Sequence, residues 1–335
     1  MFAQSALLER AAAWVRGSGS QTTSRELVTA NPDFFIRNHF QTPQISSGAW
    51  NLEIMGLVSK PGKFSFSDLL LMSPVRLACT LECAGNVSGG KGVGTARWSG
   101  VPLAALLKQA EVKPQAACVV LHGADSGSGD DVPPGTHFAR AIPLEKALSD
   151  ATILAYEMNG SPLPAEHGFP LRALVCGWYG MDSVKWLTRV EVLDQPFQGY
   201  FQQKHYVATE RDGATRAVTR MLVSSKFLRP LPEEEIHDKI YRVEGVAWAG
   251  EGSIAKVEFR AGSKEPWQTA TLESSPSPYI WTRWSYDWQV PGPGRYTLEA
   301  RATDNEGNTQ PMVRDAGRRD AYELNTIQRV NVSAR

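Results

Sequence analysis

The spacing of apolar residues changes character once along this chain, near Thr215. Upstream, strand-length apolar runs alternate with short helical segments. Cys118-Val119-Val120-Leu121 and Arg172-Ala173-Leu174-Val175 read as buried strands, since consecutive apolar positions face both sides of a sheet. Residues 104–108 and 144–148 read as helices, with Pro102 and Pro143 near their starts, where proline's missing N–H costs little. Residues 123–135 form a polar stretch of Ser, Gly, Asp and Pro that reads as a loop. Residues 1–25 read as a short helical lead around Ala11–Val15, followed by Gly and Ser at 17–20. Downstream of Thr215, residues 241–248, 255–260, 294–303 and 328–332 are short alternating runs, separated by turns such as Gly250-Glu251-Gly252 and Pro291-Gly292-Pro293-Gly294. That texture predicts an immunoglobulin-like sandwich of about 100 residues. No cysteine staples it, and its tryptophans (Trp248, Trp267, Trp281, Trp284, Trp288) are expected mostly in the core. The chain therefore divides into a lead (1–25), a mixed α and β domain (26–214) and an all-β domain (215–335).

At 335 residues, two main domains are the natural expectation. Lys plus Arg equals Asp plus Glu, 35 each, so the formal net charge is zero. Nucleic acid and acidic membranes, which call for a basic excess, are thereby disfavoured as main partners. No run approaches the ~18 consecutive apolar residues of a membrane span. Residues 1–16 lack a basic segment followed by an apolar core, so they do not read as an intact export signal. Phe2-Ala3-Gln4 is compatible with the remnant of a removed one, and a periplasmic mature protein is the expectation.

Four cysteines (Cys79, Cys83, Cys118, Cys176) are too few for a disulfide framework. Cys79 and Cys83 lack the second Cys or His pair that would close a zinc site. No Cys-x-x-Cys-His run would attach a c-type haem. Cys83 stands apart. It ends an apolar run and opens Ala84-Gly85-Asn86, followed by Ser88-Gly89-Gly90. A thiolate is a soft ligand and a strong nucleophile, and small residues beside it let a bulky group approach the backbone. A buried structural cysteine is the plain alternative, and for Cys118, in its apolar strand pattern, that core reading is preferred.

Six ordered segments carry a resemblance: Phe34-Phe35-Ile36-Arg37-Asn38-His39-Phe40, Thr80-Leu81-Glu82-Cys83-Ala84-Gly85-Asn86, and Gly94-Thr95-Ala96-Arg97-Trp98-Ser99-Gly100-Val101-Pro102-Leu103. Leu154-Ala155-Tyr156-Glu157-Met158-Asn159-Gly160, Glu166-His167-Gly168-Phe169-Pro170-Leu171-Arg172 and Ser183-Val184-Lys185-Trp186-Leu187 complete the set. In order and spacing they resemble the sulfite oxidase family of molybdenum-cofactor enzymes, which includes plant-type nitrate reductases. The likeness runs from about Asn31 to the C-terminus and is to a bacterial, sulfite dehydrogenase-like form without a haem domain. It implies an α+β molybdopterin-binding domain followed by an all-β, immunoglobulin-like dimerisation domain.

The resemblance also implies roles. Cys83 takes the position of the metal-ligating thiolate, and Phe35, Ile36, Arg37, Asn38, His39, Asp125, His167, Arg172, Ser183, Val184 and Lys185 take cofactor-contacting positions. Tyr206 matches the active-site tyrosine, with Tyr200 and Tyr179 as rivals, and Arg37 the arginine that meets the substrate oxyanion. The implied reaction oxidises sulfite, a small anionic sulfur substrate, to sulfate by oxygen-atom transfer. Electrons pass to an external acceptor such as a c-type cytochrome, from a homodimer. Sulfane-sulfur dehydrogenation and molybdenum-dependent reduction are the competing activities, and a non-enzymatic immunoglobulin-like scaffold is the third reading. One departure stands out: Val87-Ser88 replaces the Arg-Arg that usually follows Cys-Ala-Gly-Asn, leaving Lys91 and Arg97 as the neighbouring cations.

Overall fold

The structure, a computed structural model, describes residues 28–129 and 131–335. The helical lead expected at 1–25 lies outside the described residues. Contacts divide the chain into two units. The first holds residues 28–79 and Gly94–Val207, the second Thr80–Val93 and Ala208–Arg335. Among the described residues no helix is long and apolar enough to cross a membrane.

The first unit begins with β1 (Asn51–Gly56) and β2 (Gly62–Ser65), then helix α1 (Phe66–Leu71). Strands β3 (Val75–Glu82) and β4 (Val93–Pro102) run through the division, and helix α2 (Leu103–Ala110) follows. Next come β5 (Cys118–Gly127), β6 (Thr136–Pro143), α3 (Leu144–Leu148), β7 (Thr152–Met158), β8 (Ser161–Pro162), β9 (Arg172–Val175), β10 (Leu187–Leu193) and α4 (Tyr200–Gln203). One sheet has the order β2-β1-β10-β5-β6; the other runs β3-β4-β7-β8, with β9 also on β7. Alternation fixes which side of the first sheet is buried. Leu52 and Ile54 of β1 and Val190 and Val192 of β10 all lie inside, each burial worth about 1.5–3 kcal/mol. On α2, Leu103, Leu106, Leu107 and Ala110 are buried at helical spacing, while Glu111 caps the helix in a left-handed conformation.

Two expectations are corrected here. The polar stretch 123–135 is a loop only beyond Gly127, because β5 continues pairing with β6 through Ser126↔His137 and Gly127↔Thr136 after a bulge following His122. Asp125 therefore sits within a strand, at that bulge. Cys118 is half-buried at the start of β5 rather than in the core, its Sγ 3.3 Å from the Gln195 carbonyl oxygen.

The hairpin strands β11 (Val207–Thr209) and β12 (Thr215–Ala217) precede the sheets of the second unit. These comprise β13 (Ser224–Arg229), β14 (Glu235–Ile236), β15 (Ile240–Trp248), β16 (Ile254–Ala261), β17 (Gln268–Thr269), β18 (Thr271–Leu272), β19 (Thr282–Gln289), β20 (Gly294–Asp304) and β21 (Gln328–Ala334). They form sheets of order β13-β15-β19-β18 and β14-β21-β20-β16-β17, antiparallel except for β14 against β21. Val243, Trp284 and Trp288 from one sheet and Val257, Phe259, Leu298 and Val330 from the other share a single core. Trp267 departs from the core expectation: it lies half-buried between the Arg260 and Arg301 guanidiniums, at 4.3 and 4.4 Å from its ring centre.

Candidate functional site

In the first unit the chain from 31 to 40 has little periodic structure and is held by side chains. Asn159, in a left-handed turn, donates to Asn31 Oδ1 at 2.7 Å and to the Thr29 carbonyl at 2.9 Å. Asn31 donates in turn to the Met158 carbonyl. Phe34 is buried edge-on against Trp98 and His167, and Phe35 stacks on it. Beyond that anchor Ile36 and Arg37 are exposed, while Asn38 and His39 turn inward.

Asn38 Oδ1 accepts from Lys185 Nζ, which also donates to the Glu166 carbonyl at 2.8 Å. Burial first, and the Arg172 charge second, lower the Lys185 pKa to about 7. His39 lies 2.5 Å through Nε2 from the Tyr206 hydroxyl, stacked on Phe138 and edge-on to Phe201. Burial, reinforced by Arg37, holds it neutral with a pKa of about 3. Tyr206 is 6% exposed and adopts a left-handed backbone conformation (φ 54°). Of its rivals, Tyr200 points its hydroxyl at the Asp131 carbonyl and Tyr179 precedes a 3-10 turn, Gly180–Asp182.

A second group surrounds the turn Gly168-Phe169-Pro170. Gly168 has φ 110°, and an added Cβ would stand 3.0 Å from Arg172 Cβ and 3.1 Å from Lys185 Cβ, so glycine brings both cationic residues close together. Arg172 is buried, donates to the His167 and Ser183 carbonyls at 3.1 and 2.9 Å, and stands over the Trp98 ring. Burial lowers its pKa to about 10, and it stays cationic. His167 is held neutral, pKa about 4, by burial and then by Arg172. Ser183 Oγ accepts the Val175 N–H, and the Val184 carbonyl accepts the Ala173 N–H, so these two shape the backbone under the cations. Asp125 is 4% exposed with Oδ1 lacking any hydrogen-bond partner, and burial raises its pKa to about 6.

Cys83 belongs to the second unit and is half-buried. Its N–H donates to the Gly92 carbonyl at 2.8 Å and its carbonyl accepts from the Asn86 N–H. Asn86 closes the loop through Gly92 N–H (3.0 Å) and the carboxylate of Glu82 (3.0 Å), whose other oxygen accepts Trp248 Nε1 at 2.9 Å. Glu82 is fully buried, which raises its pKa to about 7. The Ala84 carbonyl accepts the Glu323 N–H. Ser88 turns its hydroxyl onto the Leu324 and Thr326 carbonyls.

Sequence reading missed several participants. Arg140 and Asp182 form a fully buried ion pair (0% exposed on both sides), and Phe138 and Phe201 box His39. A charge among Ala139, Ala141 and Ile142 was the available signal for Arg140, the same signal that marked Arg172.

Cations clustered around one buried, unsatisfied carboxylate suit a large anionic ligand bearing N–H donors. The orphaned Asp125 Oδ1 would accept a ring N–H, and Lys185, Arg172 and the exposed Arg37 would meet phosphate and other anionic oxygens. A half-buried thiol in a small-residue loop suits a soft metal. Taken unit by unit, the first unit's residues fit a pterin phosphate and ring, and the second unit's Cys83 fits a soft metal such as molybdenum, so the class is that of cofactor-binding proteins.

The comparisons agree. Residues 39–201 match the family described as Oxidoreductase molybdopterin binding domain, and residues 215–322 the Mo-co oxidoreductase dimerisation domain. The chain is 30% identical to the sulfane dehydrogenase SoxCD of Paracoccus pantotrophus, whose crystal structure it matches with a TM-score of 0.82 over 91% of this chain and 81% of that one. It is 31% identical to human mitochondrial sulfite oxidase across 85% of this chain and 57% of the relative. Tomato nitrate reductase [NADH] is 30% identical across 85% of this chain and 36% of its own length. The chain thus spans little more than half of its sulfite oxidase relative. It belongs to the sulfite oxidase family of molybdopterin oxidoreductases.

Proposed function

We propose that this protein oxidises sulfite to sulfate and delivers the electrons to an external acceptor, a c-type cytochrome in the first instance. The observation that carries this reading is the Arg37–His39–Tyr206 group beside the cations Lys185 and Arg172. When bound, the molybdenum cofactor supplies a two-electron redox centre competent for oxygen-atom transfer. Cys83 would give the metal its protein thiolate. Asp125, His167, Arg172, Ser183 and Lys185 would hold the pterin and its phosphate. Arg37, exposed and with its guanidinium donating to the Asn38 carbonyl, meets the entering oxyanion. His39 is neutral across the physiological range, and with its Nε2 protonated it donates to the Tyr206 oxygen, which frees the phenol O–H to donate to a substrate oxygen. Phe138 and Phe201 keep water from the His39–Tyr206 bond.

A second reading, sulfane-sulfur dehydrogenation, is favoured by Ser88. The position that usually carries an arginine here carries a hydroxyl committed to two backbone carbonyls, and one charge-assisted bond fewer means roughly one to two decades less affinity for a compact dianion. Similarity to the sulfane dehydrogenase SoxCD supports the same alternative. Steady-state assays of the molybdenum-loaded protein with sulfite, thiosulfate and nitrate separate the two. Turnover with sulfite exceeding the others supports the first reading, and none with sulfite removes it. The second unit, a two-sheet sandwich, is proposed to be immunoglobulin-like and to pair two copies symmetrically, and the mature protein is proposed to be periplasmic.

A further inference from the structure

The buried pair Arg140–Asp182 has no part in the chemistry assigned so far. Arg140, on β6, donates Nε to Asp182 Oδ1 at 2.8 Å and Nη1 to the Phe201 carbonyl at 2.5 Å. Its guanidinium carbon lies 5.4 Å from the centre of the Tyr206 ring. The next residue, Ala141, gives its N–H to Gln202 Oε1 at 3.1 Å. One strand therefore holds both the backbone and a side chain of α4, from which the chain turns into Tyr206. Asp182 ends the 3-10 turn just ahead of Ser183 and Lys185. Its second oxygen has no hydrogen-bond partner.

A fully buried ion pair seldom repays its desolvation, so stability alone is a weak reason for it. Geometry gives a better one. Arginine's rigid fork can hold three groups in fixed directions at once, and here they are the carboxylate at the head of the Ser183–Lys185 segment, the α4 backbone and the Tyr206 ring face. Tyr206 needs such a hold, because a left-handed conformation in a bulky residue persists only where its surroundings impose it. The phenol is faced by His39 from the 34–40 segment, by His205 on its own turn and by Arg140 from β6. Arg140 acts on this group as a cation, being among the charges that keep His39 neutral alongside Arg37, His205 and Lys185.

We propose that Arg140, with Asp182 as its counter-ion, is a positioning residue that fixes the Tyr206 phenol against His39 and sets how readily that phenol gives up its proton. This rests on the reading of Tyr206 as an active-site phenol. Because Asp182 offsets part of the guanidinium charge, the two residues should move the phenol in opposite directions, which a purely structural role would not do.

The test uses the molybdenum-loaded full chain with isotope-labelled tyrosine, Tyr206 being assigned in the NMR spectrum by its loss in Tyr206→Phe. Arg140→Met combined with Asp182→Leu removes both charges at similar volume. It should shift Tyr206 ionisation to higher pH by about one unit, a tenfold change in its constant. Asp182→Asn leaves the guanidinium uncompensated and should shift it to lower pH. Sulfite kcat in the paired variant should fall about tenfold with KM within about twofold. The proposal is overturned if Tyr206 titrates within about 0.3 unit of wild type in both variants, or moves the same way in both. Should the wild type ignore sulfite, the ionisation measurements still decide this point, so the two failures remain distinct.

Discussion

At the residue scale, the sharpest contrast is between Cys83 and Cys118, both half-buried thiols in different settings. Cys83→Ser replaces a soft thiolate by a hard hydroxyl and should abolish turnover while the melting temperature stays within a few degrees. Cys118→Ser should leave turnover intact, and equal losses in both would remove Cys83 as the sole protein ligand. Ser88 gives a second prediction. With its hydroxyl bonded to the Leu324 and Thr326 carbonyls, Ser88→Arg must break those bonds and should cost about 1–3 kcal/mol, read as a lower midpoint in urea. A stable Ser88→Arg variant with a lowered KM for sulfite would show that the side chain turns freely into the pocket instead. Lys185 gives a third. Its folded pKa, about 7, lies below the ordinary lysine value of 10.5. Between those values the unfolded chain holds the proton and the folded one has lost it, so stability of the cofactor-free protein should rise with pH from 7 toward 10. Melting scans of cofactor-free wild type against Lys185→Met should show that rise in the wild type alone.

At the element scale, the turn between the 3-10 segment Ala165–His167 and β9 sets the spacing of two cations. Gly168→Ala would strain a φ of 110° and press on Arg172 and Lys185, so molybdenum content of the purified protein should drop severalfold while the sheets persist by circular dichroism. Unchanged content would show that the turn tolerates a side chain. Here the sequence was partly legible. Arg172 announced itself as a charge inside an apolar run, and strands and helices with clear periodicity fell where their patterns put them. Asp125 was named by resemblance, but its place in a strand was hidden because a polar, glycine-rich strand with a bulge has the composition of a loop. Cys118 looked apolar in its run, yet strand ends face solvent whatever their neighbours. Arg140 carried the same signal as Arg172 and went unread because no motif drew attention to it.

At the scale of the whole molecule, the spacing of apolar residues changes near Thr215 while the two units divide at Val207 and Ala208, and no local pattern assigns Thr80–Val93 to the second unit. That assignment depends on hydrogen bonds such as Glu82 to Trp248 and Ala84 to Glu323, between residues far apart in sequence, and no local pattern reports such partners. The second unit carries a core of its own and is expected to pair with a second copy. Light scattering at micromolar concentration should give twice the chain mass of 36.8 kDa, and a monomer there would contradict the proposed pairing.

The proposed activity is sulfite oxidation at a thiolate-bound molybdenum cofactor. Its most direct test is sulfite-dependent reduction of cytochrome c by the purified, molybdenum-loaded protein, with sulfate measured alongside. Steady reduction at two electrons per sulfate formed is the expected result, with its loss in Cys83→Ser. A loaded wild-type protein that leaves sulfite untouched, while reducing the same acceptor with another sulfur compound, would contradict it.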